Sequence, residues 1–294
     1  MSVIFQLTPS SEHAQNILTI REAIEGTPLQ LFQVNPRDLE AALDRRADEG
    51  FAVLGDPGSS ARGFDFNFED GRYSVSVGTP STPGDWRVTL HFIQQLASRV
   101  DASITDDLER THTIDSILDV PYTDDISFGL QGVHMQAQRS GLVVLGGLRR
   151  PMHLNPAMTS AIMEADDPAA EFERRFFAVQ NIAAVDARPN LTEYQGACFV
   201  EYNILEGGPM VLPGRSPFPT PQLRHQLQGR PVMEWLAVLY YDAESQGGKP
   251  ELADGIPYHE FLERLPESKR RPIDGYAMYM EPLTRDEITA IVGR

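Results

Sequence analysis

Residues 61–100 read ARGFDFNFEDGRYSVSVGTPSTPGDWRVTLHFIQQLASRV, and this stretch decides the fold. At its centre, Asp70-Gly71 predicts a two-residue type I′ turn, in which both positions take positive φ. With that turn set, Glu69 faces Arg72, Phe68 faces Tyr73, Phe66 faces Val75 and Phe64 faces Val77. Phe64, Phe66, Phe68, Tyr73, Val75 and Val77 then share one face. Asp65, Asn67, Glu69, Arg72, Ser74 and Ser76 share the other. A slip of one residue would mix the two sets, so the register is well specified. Cross-strand pairs supply only about 0.2–1 kcal/mol each, so the apolar face needs something to lie on.

The next element supplies it. Thr82-Pro83-Gly84-Asp85 combines an N-cap, a proline at the first helical position and a carboxylate in the first turn. Trp86, Leu90, Ile93, Ala97 and Val100 follow at spacings of four, three, four and three, one stripe of a helix over 83–99. Trp86 opens that stripe and reads as core rather than as a platform for a ligand.

Outward from this centre the chain mixes strands and helices without strict alternation. Residues 3–7 and 51–54 read as strands. A Thr19/Glu22 capping box with Gly26 as a stop marks a short helix, and Asn35-Pro36 starts another. Residues 113–118 read as a helical turn, and 119–132, with Pro121, Asp124, Asp125 and Gly129, as an acidic loop. Residues 142–148 (LVVLGGL) read as a buried strand. Asn155-Pro156 and Asp167-Pro168 open two helices, the second with a Phe172, Phe176, Val179, Ala183 stripe. Strands follow at 197–205, 210–212, 235–241 and 276–280. A rigid proline loop spans 213–221, a polar loop 242–255 and a solvated loop Lys269-Arg270-Arg271. Helices span 257–265 and 284–292. The expected fold is α+β, with largely antiparallel sheets, flanking helices and two sub-domains, 1–148 and 149–294.

Composition narrows the function classes. The chain has 294 residues and a formal net charge of −17. Residues 1–148 hold 10 basic and 21 acidic side chains, net −11, and the rest hold 15 and 21, net −6. Such a field repels phosphate backbones and anionic membranes, so neither nucleic acid nor a membrane is an expected partner, whereas a basic protein is. No apolar run approaches the roughly 18 residues of a membrane span. The opening MSVIFQLTPSSEH has no signal-peptide core, and Cys198 is the single cysteine. A cytoplasmic location is the expectation.

Chemistry-bearing motifs are sparse. Phosphate-binding glycine loops and the G-x-S-x-G elbow are absent from the sequence. None of the seven histidines lies three to five residues from another, which argues against a zinc site, and no cofactor is expected. Cys198 sits in a hydrophobic run and reads as buried rather than nucleophilic. The residues singled out for interaction are Arg62, ahead of the hairpin, and the Asp124-Asp125 doublet.

The order of these elements resembles a bacterial family described only as domain of unknown function four-two-nine-nine. Carrying the resemblance are Ser60-Ala-Arg-Gly-Phe64, Glu69-Asp-Gly, Thr79-Pro-Ser-Thr82 and Asp85-Trp86. Residues 122–129, Arg150-Pro-Met-His-Leu and Asp166-Asp-Pro-Ala-Ala170 add to it. It implies a full-length family of about this size and transfers no catalytic residue. Two function classes lead, and a structural subunit of a homo-oligomer is a third option. One is a non-catalytic binding or interaction protein with an acidic surface. The other is a hydrolase whose site gathers distant groups such as Asp124, His134 and His153.

Overall fold

The computed structural model describes residues 2–11, 13, 16–219, 221–242 and 249–293. It divides into two compact units, Met1–Asn181 and Ile182–Arg294.

Unit 1 is built on a seven-stranded antiparallel sheet of β1 (Ser2–Thr8), β2 (Gln30–Phe32), β3 (Ala52–Gly55), β4 (Phe64–Glu69), β5 (Arg72–Gly78), β6 (Ser103–Asp106) and β7 (Thr111–His112). The strand order is β2-β3-β4-β5-β1-β6-β7. β4 and β5 pair in the expected register, Glu69 with Arg72 and Phe66 with Val75. The turn is left-handed at both positions, Asp70 with φ of 53° and Gly71 with φ of 78°. The short helices α1 (Ile20–Ile24) and α2 (Leu39–Leu43) lie on the β1–β3 connections, α1 behind the Thr19/Glu22 capping box.

Helix α3 (Pro83–Arg99) covers the apolar face of the sheet. Phe92 packs on Phe64 and Phe66 at ring separations of 5.0 and 5.3 Å, and Trp86 meets Phe5 edge-on at 6.3 Å. The whole predicted stripe, from Trp86 to Val100, is buried. Each large side chain so buried contributes about 1.5–3 kcal/mol. Trp86 is core, stacked on Tyr122 at 5.6 Å.

Asp85 is fully buried at the start of α3 and ties that start to residues 61–63. Its carboxylate accepts hydrogen bonds from the backbone N–H groups of Ala61 (3.0 Å), Arg62 (3.1 Å), Gly63 (2.7 Å) and Thr82 (3.1 Å), and from the Thr82 hydroxyl (2.8 Å). Burial pushes this carboxyl up, and the bonds from Gly63, Thr82 and Arg62 oppose that push.

The acidic loop expected over 119–132 is instead the start of an 18-residue helix, α4 (Thr123–Ser140). Pro121 lies before it, Asp124 and Asp125 occupy its first turn where the macrodipole favours anions, and Ile126, Leu130, Val133 and Ala137 form its buried stripe. Gly129 is a packing residue: a Cβ there would stand 2.7 Å from Thr79 Cγ2 and 2.8 Å from Pro80 Cβ. The buried strand expected over 142–148 is reduced to β8 (Val143–Leu145), which pairs only with β9 (Met152–Leu154) and leaves Val144 half exposed. The expected boundary between 148 and 149 therefore falls within unit 1, inside the β8–β9 hairpin. Helices α5 (Pro156–Met163) and α6 (Pro168–Gln180) begin at their Asx-Pro caps and complete the unit, with Ala183 beyond the end of α6.

Unit 2 holds two four-stranded sheets. One has the order β11-β12-β14-β15, from β11 (Pro189–Tyr194), β12 (Ala197–Leu205), β14 (Val232–Tyr241) and β15 (Glu251–Pro257). The other has the order β10-β13-β17-β16, from β10 (Val185–Asp186), β13 (Met210–Pro213), β17 (Ala277–Met280) and β16 (Arg270–Pro272). The pairings are antiparallel except β10–β13 and β12–β14. Helix α7 (Pro221–Leu227) connects β13 to β14, and α8 (Tyr258–Arg264) and α9 (Arg285–Val292) contribute Phe261, Ile288 and Ile291 to the core. β11 is a hairpin partner that the periodicity does not announce. Part of the polar loop expected over 242–255, residues 243–248, lies outside the described residues, and its end is β15. The solvated loop expected at Lys269-Arg270-Arg271 is largely the edge strand β16.

Two variants test this account. Gly71→Val places a β-branched side chain at positive φ, costs about 1–2 kcal/mol and lowers the Tm by several degrees in a circular-dichroism melt. Asp85→Ala strands three backbone donors around residues 61–63, each left unmet at a cost of about 1–3 kcal/mol, seen as a larger drop in the urea midpoint.

Candidate anion-binding site

In unit 2 the edge strand β16, the turn after it and the segment leaving β13 surround a cavity of about 440 Å³. Its lining is local in origin. Asp274 closes the turn into β17, its Oδ1 accepting from the backbone N–H groups of Tyr276 (2.8 Å) and Ala277 (2.6 Å). Gly214 joins the same turn by donating its N–H to the Tyr276 carbonyl at 2.8 Å. Arg215 is thereby placed over Tyr276, 5.4 Å from the ring centre, while Phe218 packs on the same ring at 4.7 Å. Across the sheet edge, Arg271 stands opposite Tyr279 in register and stacks on its ring at 4.5 Å. Arg270 is fixed by a 2.9 Å bond from Nη1 to the Leu262 carbonyl.

Three guanidinium groups thus border one cavity in a strongly acidic chain. Among the described residues, none of Arg215, Arg270 and Arg271 has a carboxylate within ion-pair distance. Stacking on an aromatic face leaves the in-plane N–H donors of a guanidinium available to a planar anion. Lys269, the third member of the basic run, is used inside the fold: Nζ donates to the Pro282 carbonyl at 2.9 Å and pairs with Glu287 at 3.0 Å. The lining contains Glu267 and Asp274 but no histidine, cysteine or serine.

The residues singled out from the sequence lie elsewhere, in unit 1. Arg62 is turned onto backbone carbonyls: Nε donates to Gly146 at 3.0 Å, and Nη1 to Gly78 at 3.4 Å and to Pro80. Burial draws its guanidinium below the ordinary arginine range, against the charges of Asp85 and Asp65. Asp125 accepts from the Thr79 hydroxyl at 2.9 Å, and its Oδ2 is buried without a hydrogen-bond partner among the described residues. Burial raises this carboxyl, and the Thr79 bond opposes the rise. Arg62 and Asp125 therefore meet the same short segment, residues 78–80, while Asp124 points to solvent on α4.

His134 Nδ1 lies 3.2 Å from the Thr159 hydroxyl. It is ten residues from Asp124 on the same helix, about 15 Å along the axis. His153 lies on β9 opposite Val144. A histidine–carboxylate contact does occur in the β6–β7 hairpin, where His112 Nε2 is 3.0 Å from Asp106 Oδ2. Asp106 also accepts from Arg110 Nε at 2.7 Å; burial pushes its carboxyl up, but the bonds from His112 and Arg110 outweigh it and hold the group below the carboxylate range. Among the described residues, no group of three histidine, cysteine or carboxylate side chains is arranged to hold a metal. No helix among them is long and apolar enough to cross a membrane.

The arginines of the cavity carried one sequence signal. Lys269-Arg270-Arg271 is the only basic run of three in the chain, but its acidic neighbours Glu263 and Glu267 make it read as solvated surface. Arg215, in a proline-rich segment, carries none.

A pH dependence follows from the tyrosines. Burial holds Tyr276 protonated up to about 12, against a bond from the Phe218 backbone and the charge of Arg215. It raises Tyr202 and Tyr258 in the same direction. Their unfolded counterparts ionise near 10. The unfolded state therefore sheds its protons first, and the stability these groups supply is complete below pH about 10 and lost as pH climbs through about 12. Urea midpoints at pH 8, 10 and 11 should fall across that window, and less steeply in Tyr276→Phe.

Neither the curated proteins nor the solved structures contain a match to this chain. A family model described as Domain of unknown function (DUF4299) matches residues 2–291. The match runs through both units, from β1 to α9, and includes the Ser60–Phe64, Glu69–Gly71 and Thr79–Trp86 motifs that carry the resemblance. On that coverage, the chain belongs to the DUF4299 family, a domain of unknown function.

Proposed function

We propose that this is a non-catalytic binding protein whose unit 2 cavity takes an anionic group, a phosphate or a carboxylate. One observation carries the reading: Arg215 and Arg271 are held over the rings of Tyr276 and Tyr279 with no carboxylate within ion-pair distance among the described residues. In a chain of net charge −17, acidic side chains are plentiful, and arginines that pair with none of them are available to an outside anion. Arginine suits this role because its planar fork matches phosphate and carboxylate oxygens in pairs. A reducing compartment such as the cytoplasm accommodates the buried thiol of Cys198.

A second reading rests on charge. Unit 1 carries 14 basic and 26 acidic residues, net −12, and an acidic surface of that size supports capture of a basic protein. The two readings place binding in different units and on opposite charges.

Calorimetric titration of the full chain with inorganic phosphate and with citrate distinguishes them. The cavity reading expects binding that weakens with added sodium chloride. It expects Arg271→Gln and Arg215→Gln each to reduce affinity about tenfold, the loss of one charge-assisted bond. Affinity unchanged in both variants, or no heat from either anion at millimolar concentration, overturns it.

A further inference from the structure

Helix α4 exposes a stripe that no other described residue covers. Asp124, Phe128, Gly132, Met135 and Arg139 recur at spacings of four, four, three and four, so they share one face, and all are exposed. Phe128 is 59% and Met135 54% exposed, while the opposite stripe of Ile126, Leu130, Val133 and Ala137 is packed inward. The two glycines of the helix differ in kind. Gly129 is filled by its own chain, whereas a Cβ at Gly132 would meet nothing within 4 Å. Glycine in an exposed helix interior costs about 1 kcal/mol relative to alanine, and packing within the chain returns nothing for it.

The stripe is complementary to itself. Asp124 and Phe128 lie as far to one side of the midpoint between residues 131 and 132 as Arg139 and Met135 lie to the other. Two such helices laid antiparallel about a two-fold axis at that midpoint bring Asp124 opposite Arg139 of the second copy. Phe128 meets Met135 of the second copy, and the bare backbone at Gly132 lies at the axis, where the helices approach most closely. This is an isologous contact, in which one patch serves both copies. Thioether–aromatic contacts of this type are favourable. Asp124 and Arg139 have no ion pair among the described residues and are about 22 Å apart along their own helix, so only a second molecule can join them. The helix macrodipole accounts for an acid at the start and a base at the end, but not for the exposed aromatic and thioether side chains between them.

We infer that the exposed face of α4 is a homodimer interface, with a second copy of this chain docked antiparallel across Gly132. One helix face per copy is a small contact, at the low end of specific interfaces, so the dimer is reversible. The inference is independent of the anion site and concerns the other unit.

Sedimentation velocity on the full chain in 0.15 M salt tests it. The wild type should pass from monomer to dimer between roughly 1 and 500 µM, the range of a weak specific contact. Phe128→Glu should raise the dissociation constant at least tenfold. Arg139→Glu, which sets two acids face to face, should weaken the dimer, and the double reversal Asp124→Arg with Arg139→Glu should restore it to within about threefold of wild type. All these positions are exposed, so a circular-dichroism spectrum identical to wild type confirms that each variant is folded. A wild type that stays monomeric at 500 µM overturns the inference. So does a dimer indifferent to Phe128→Glu, or a double reversal that fails to restore association.

Discussion

The buried carboxylate of Asp85 is the constraint on which unit 1 depends. A carboxylate with no solvent must be met by donors, and this one is met by four backbone N–H groups and one hydroxyl. Three of the donors come from residues 61–63, which enter β4, and two from Thr82, which caps α3. The hairpin and the helix that covers it are thus bound at a single point, and the relative position of sheet and helix is set there. Arg62 extends the arrangement. Its backbone serves Asp85, and its side chain gathers the carbonyls of Gly78, Pro80 and Gly146. The end of β5 and the stretch after β8 are thereby drawn to the same place.

Much of this architecture was legible because the local signals agree with one another. The Asp70-Gly71 turn, the alternation on both strands and the helical spacing from Trp86 to Val100 each point to the same packing, and the structure realises all three. The Thr19/Glu22 capping box likewise forms as read, and Thr284 with Glu287 forms another at the start of α9. What was hidden involved residues whose partners are remote in sequence. Pro121, Gly129 and Gly132 look like helix breakers, yet Pro121 lies before α4 and Gly129 is demanded by Thr79 and Pro80, some fifty residues earlier. β11 was hidden because its turn is Gln195-Gly196, where glutamine takes a left-handed conformation that its residue type does not advertise.

The chemistry was less legible than the fold for a related reason. Arg62 was singled out from the sequence for interaction, and the structure places its side chain on the carbonyls of Gly78, Pro80 and Gly146. Arg215 attracted no attention and Arg271 read as part of a solvated basic run, because what distinguishes them is the lack of a carboxylate within ion-pair distance among the described residues, a property of three dimensions. Asp124 read as a loop acid; its place at one end of an exposed helical stripe emerges only once α4 is recognised as a helix. In an acidic chain, charge by itself carries little information, and the geometry of its neutralisation carries most of it.

The position of β16 at the sheet margin has a consequence for how the protein behaves in concentrated solution. An edge strand presents unpaired backbone groups that a neighbouring chain can extend into an intermolecular sheet. β16 is three residues long, two of them arginine and the third Pro272, which has no N–H to offer. The strand is therefore a poor template for growth. The same side chains that line the cavity thus protect the sheet margin from fibrillar association, and replacing them with apolar residues would raise the tendency to aggregate.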